Sequence, residues 1–106
     1  MNEHVRTIVR TVKDFLIEKY GSDIKAVILY GSYARGTAAE DSDVDLLVVV
    51  ENSLDPWQVR RSLDALLFDI LLETGELVSV VVVPEAYYEG YTSPFLINVR
   101  REGVRI

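Results

Sequence analysis

Three short blocks rich in β-branched residues constrain the fold: AVILY at 26–30, VDLLVVV at 44–50 and LVSVVVV at 77–83. Their lengths suit strands rather than helices, and their apolar character suits burial. The segments around them carry a different period. Val5, Ile8, Val9, Val12, Phe15 and Leu16 recur at helical spacing, with Asn2 as a starting cap and Gly21 as a left-handed stop. Asp55-Pro56 opens a second helix, whose apolar face is Val59, Leu63, Leu66, Leu67, Ile70 and Leu71 and whose end is Gly75. Pro84 begins a short helical or irregular segment bearing Tyr87, Tyr88 and Tyr91. Ser93-Pro94 repeats the cap-plus-proline signal for a last helix, ended by Gly103, and 104–106 adds a short edge strand. The order α-β-turn-β-α-β-α-α predicts an α/β domain with helices flanking a small mixed or antiparallel sheet. LVSVVVV is apolar on both faces and is therefore expected to be the central strand.

With 106 residues, 49% of them hydrophobic, the chain suits one domain over 1–106. It has no cysteine, which rules out disulfides, a thiol nucleophile and a cysteine-based zinc site and agrees with a cytoplasmic location. Its longest apolar runs are too short to cross a membrane, and its first ten residues are charged and amphipathic, unlike a signal peptide. The net charge of −6 repels phosphate backbones, so long nucleic acid is not an expected partner. A small nucleotide remains open, because a metal ion can bridge carboxylates to phosphates.

Between the first two strands lies the most informative stretch. Gly31-Ser32 ends the first strand, a polar loop over Thr37–Ser42 follows, and Asp43-Val44-Asp45 opens the second strand. A strand that turns into a helix start offers unpaired backbone N–H groups to an anion. Gly31 lets a phosphate approach the backbone, and the Ser32 hydroxyl adds a donor. Asp43 and Asp45 are two apart in a strand, so both carboxylates project to one face and Val44 to the other. Neighbouring carboxylates repel unless a cation lies between them, and Asp41 and Glu40 add to the cluster. Hard oxygen ligands suit Mg²⁺. For the serine turn and the aspartates to meet, the two strands must run antiparallel. Either half alone is a common surface pattern; the pair, with a strand on each side, is far more specific.

The segment GSYARGTAAEDSDVDLLVVV resembles the Gly-Ser, ten-residue spacer, Asp-x-Asp signature of the DNA polymerase β-like nucleotidyltransferase superfamily. The ending SPFLINVRREGVRI resembles its minimal nucleotidyltransferase (MNT) branch. The resemblance implies a palm-like fold and transfer of a nucleoside monophosphate from a triphosphate with one or two Mg²⁺ ions. It implies that Gly31 and Ser32 hold the β- and γ-phosphates, that Asp43 and Asp45 are the catalytic metal ligands, and that Arg35 reaches the triphosphate. It also implies a partner. Many MNT proteins pair with a HEPN-domain ribonuclease as antitoxin to toxin, some by adenylylating it on tyrosine.

One departure from the family pattern stands out. Active members carry a third carboxylate on the strand after the second long helix, and here Ser79 holds the expected position. Serine is a poor metal ligand or base. Glu73 and Glu76 are the nearby substitutes, on no spacing argument. The leading expectation is an enzyme that moves AMP from ATP to a partner protein. The alternative is a weak or inactive antitoxin that acts by binding alone, as a homo- or hetero-oligomer. Tailoring of a small molecule, as in aminoglycoside nucleotidyltransferases, ranks lower, since a chain this short has no second domain to complete a pocket. His4 is expected on the surface, Trp57 at the edge of the core, and Tyr87, Tyr88 and Tyr91 in half-buried packing rather than a partner patch. Arg100 and Arg101 suit the end of a helix, with Glu102 in an ordinary solvated turn.

Overall fold

The structure, a computed structural model, describes residues 2–39 and 41–106. Helix α1 (Glu3–Tyr20) leads through a 3-10 turn (Gly21–Asp23) into β1 (Ile24–Tyr30), and α2 (Ser32–Arg35) follows. Strand β2 (Val44–Val50) precedes α3 (Pro56–Ser62) and α4 (Asp64–Thr74). Strand β3 (Val78–Pro84), α5 (Glu85–Gly90), α6 (Pro94–Glu102) and β4 (Val104–Arg105) complete the chain. Three helix starts are capped as the sequence predicts. Asn2 accepts from the Val5 N–H at 2.7 Å, Asp55 from the Trp57 N–H at 3.0 Å and Ser93 from the Leu96 N–H at 3.2 Å.

The sheet order is β3-β2-β1-β4. Strands β1 and β2 are antiparallel, β2 and β3 parallel, and β1 and β4 antiparallel, so the sheet is mixed. Side-chain alternation sorts it into two faces. Val44, Leu46, Val48 and Val50 join Val78 and Val80 under α1, α3 and α4. Leu47, Val49, Ile28 and Val83 face the other way, under Leu96 and Val99 of α6 and beside Tyr88 of α5. On this second face Val81, the register partner of the buried Leu47, is 39% exposed. Among the described residues, no helix is long and apolar enough to cross a membrane.

The LVSVVVV block lies at an edge of the sheet, not at its centre. An apolar character on both faces concerns what lies above and below a strand and says nothing about its in-plane neighbours; here Val78, Val80 and Val83 are buried while Val81 is exposed. β1 already holds one side of β2, so the α3–α4 crossover delivers β3 to the other. The helix expected from Asp55 to Gly75 is two helices, broken at the buried Leu63, whose N–H bonds the Arg60 carbonyl at 3.2 Å. Trp57 is not a core edge residue. It is 68% exposed and borders a groove of about 250 Å³ with Pro56, Arg60 and Val80–Val82. Tyr88 packs on the core, whereas Tyr87 and Tyr91 stack on each other in solvent, with ring centroids 4.8 Å apart.

Candidate active site

The register across β1 and β2 pairs Tyr30 with Asp45, so the end of one strand meets the beginning of the next. The next residue after Tyr30 is Gly31, at φ 78° and ψ −158°, a conformation essentially confined to glycine. That turn lays the Gly31 backbone against Asp45, where a Cβ would overlap carboxylate Oδ2. The glycine is thus required twice, by its backbone angles and by its neighbour. The serine turn and the aspartates lie at one rim of the sheet, as the antiparallel expectation demands.

Helix α2 is only four residues long, and its first internal bond runs from the Arg35 N–H to the Gly31 carbonyl at 3.1 Å. The amides of Ser32, Tyr33 and Ala34 precede that bond and have no helical acceptor. They form the candidate phosphate cradle beside the Ser32 hydroxyl.

Asp43 is exposed and Asp45 half-buried. Burial pushes the Asp45 carboxyl above the ordinary aspartate value, and the charge of Asp43 adds to the rise. Arg35 acts in the opposite sense. Burial, then the Asp45 charge, also raises the Tyr30 hydroxyl, whose ring meets Phe95 edge-on at 5.3 Å. The repulsion between the aspartates is what a cation would relieve. Among the described residues, no three His, Cys, Asp or Glu side chains gather as a metal cluster. Asp43 and Asp45 are hard oxygen donors of the kind that suits Mg²⁺.

Arg35 is near enough to Asp45 to act on its charge, and its guanidinium bonds Glu102 at 3.0 Å. Glu102 was expected in an ordinary solvated turn; it belongs instead to this rim. The two residues lie 67 positions apart, and no local pattern signals the contact. Ser79 is the register partner of Asp45 across β2 and β3 and projects to the same face. Glu76 accepts from the Tyr33 hydroxyl at 3.3 Å and lies 3.7 Å from His4, at the α1 side of the rim. Glu73 is exposed on α4, on the face away from Asp45. Neither glutamate occupies the Ser79 side of the sheet. Glu40 lies outside the described residues.

Residues 9–101 match the family model described as "Nucleotidyltransferase domain". Three relatives in Methanocaldococcus jannaschii bear the name "Putative protein adenylyltransferase". MJ0604 is 35% identical over 98 residues, 89% of this chain and 92% of that protein. MJ1305 is 52% identical over 56 residues, 53% of this chain, and the match spans only 36% of its length. An aminoglycoside nucleotidyltransferase (4') of Staphylococcus aureus is 40% identical over 80 residues, 67% of this chain and 31% of that protein. Among solved structures, a toxin–antitoxin complex with AMP-PNP superposes with a TM-score of 0.56 at 20% identity, covering 90% of this chain and 69% of that one. The toxin–antitoxin MntA-HepT superposes with a TM-score of 0.53 at 15% identity, covering 94% and 69%. At such identities the likeness shows the fold, and the fold is the one the motif resemblance implies. With a family model over most of its length and a relative 35% identical across 89% of it, this chain belongs to the nucleotidyltransferase domain family.

Proposed function

We propose that this protein is a Mg²⁺-dependent nucleotidyltransferase that transfers AMP from ATP to a partner protein, and that it is the cytoplasmic antitoxin of a HEPN/MNT pair. The observation that carries the reading is the close approach of Gly31 to Asp45, which sets the serine turn beside the carboxylates. Gly31 and Ser32 would receive the β- and γ-phosphates, and Arg35 would turn its remaining donors to the triphosphate. Asp43 and Asp45 would hold Mg²⁺, which when bound neutralises phosphate charge and polarises the α-phosphorus toward attack. The protein acceptor is supported by the names of the archaeal relatives, and the HEPN partner by the MntA-HepT fold match.

The test is incubation with labelled ATP, Mg²⁺ and the product of the neighbouring gene, expected to be a HEPN protein. Label is expected on the HEPN protein and is expected to vanish in the Asp43→Ala, Asp45→Ala double variant. Undiminished labelling by that variant would remove the metal role. A second reading, an antitoxin that neutralises its partner by binding alone, is favoured by Ser79 beside Asp45. It predicts inhibition of the partner with no label transferred.

A further inference from the structure

Helix α4 is apolar around more of its circumference than the fold buries. Leu67 and Ile70 enter the core and Leu66 packs against it. On the outer side, Phe68 is 58% and Leu72 68% exposed, with Leu71 beside them at 36%. Ala65, Phe68 and Leu72 follow one another at intervals of three and four residues and so form one exposed stripe. Single exposed apolar residues are ordinary; a row of them along one helix is a contact surface waiting for a partner.

Charge identifies what covers it. The charged residues of α4 are Asp64, Asp69 and Glu73, with no lysine or arginine among them. Asp64 is held by Arg60 at 2.8 Å. Asp69 and Glu73 are exposed, four residues apart along one flank of the stripe, and take part in no ion pair among the described residues. A second copy of α4 would bring this acidic flank against its own kind, in a chain that already carries −6.

We propose that the Ala65–Phe68–Leu72 stripe docks an amphipathic helix of a partner protein, apolar along one side and lined with lysine or arginine where it meets Asp69 and Glu73. The mode is helix against helix with anchors at three- and four-residue spacing. The eleven residues of α4 span about 16 Å, so the contact is small and the affinity micromolar. Helix α4 covers the face of the sheet opposite Asp45 and Ser79, so a partner held here leaves the candidate site open. The surface stands apart from the transferase reading, and either can fail without the other.

The probe is a fluorescein-labelled helical peptide of three to five turns, with leucine on one face and lysine on its flanks. Its twin carries glutamate on the flanks. Anisotropy titrations with the full chain should give micromolar binding for the lysine peptide and at least tenfold weaker binding for the glutamate peptide. The Phe68→Ser, Leu72→Ser variant, checked for folding by circular dichroism, should lose the lysine peptide. The Asp69→Lys, Glu73→Lys variant should reverse the preference and keeps the test independent of the serine variant. Equal binding of both peptides, or binding unchanged in both variants, overturns the proposal. So does a wild-type dimer in light scattering that the serine variant makes monomeric, since the occupant would then be a second copy.

Discussion

Asp45 of β2 and Ser79 of β3 are register partners and project side by side on one sheet face. A carboxylate at residue 79 would complete a set of three with Asp43 and Asp45. Ser79→Asp is therefore expected to raise the rate of label transfer to the partner at least tenfold, since a placed acid or base contributes roughly 10²–10⁴ in rate. The comparison is single-turnover labelling at matched Mg²⁺. If the wild type labels well and the variant gains nothing, another group already fills the role.

Gly31→Ala meets two obstacles, a backbone angle of φ 78° and the Asp45 carboxylate. Strain of this kind costs about 1–3 kcal/mol. Thermal denaturation should show Tm lower by several degrees, with weakened Mg·ATP uptake in calorimetry. An unchanged Tm would mean that the turn has another low-energy form.

The raised carboxyl of Asp45 gives stability a pH dependence with a definite sign. Its folded value lies above its unfolded value, so the native state holds the proton more tightly. Stability from this group falls as pH rises from the unfolded carboxylate pKa, about 3.9, through the raised folded value. At pH 7, ionised Asp45 therefore destabilises the metal-free fold. Asp45→Asn should raise Tm at pH 7 in EDTA, and the gain should fade as pH drops below about 4. A lower Tm for the variant at pH 7 would contradict the assignment.

Ligand linkage offers a check that needs no partner. Mg·ATP at about 100 times its Kd should stabilise the wild type by about 2.7 kcal/mol, a rise in Tm of several degrees. The Asp43→Ala, Asp45→Ala variant should show no Mg²⁺-dependent rise. Differential scanning calorimetry with and without Mg²⁺ measures both.

What the sequence determined was local. The caps at Asn2, Asp55 and Ser93 act within three residues of themselves. The AVILY, VDLLVVV and LVSVVVV blocks mark the three long strands to within two residues, and two-residue alternation buries Val44 and turns Asp45 to the opposite face. The Gly-Ser and Asp-x-Asp spacing was enough to predict the antiparallel pair. Tertiary structure alone decided the rest. Periodicity assigns a face to each side chain and leaves the neighbouring strand open, so LVSVVVV read as central although it is an edge. Helical period did not reveal the break at Leu63, nor that Trp57 lies out in solvent. The Arg35–Glu102 pair joins residues 67 positions apart, and the placing of Ser79 beside Asp45 depends on where the α3–α4 crossover lands. Such contacts arise from packing of whole elements, whose free energy is set by the shared core and not by the few residues that happen to meet at the rim.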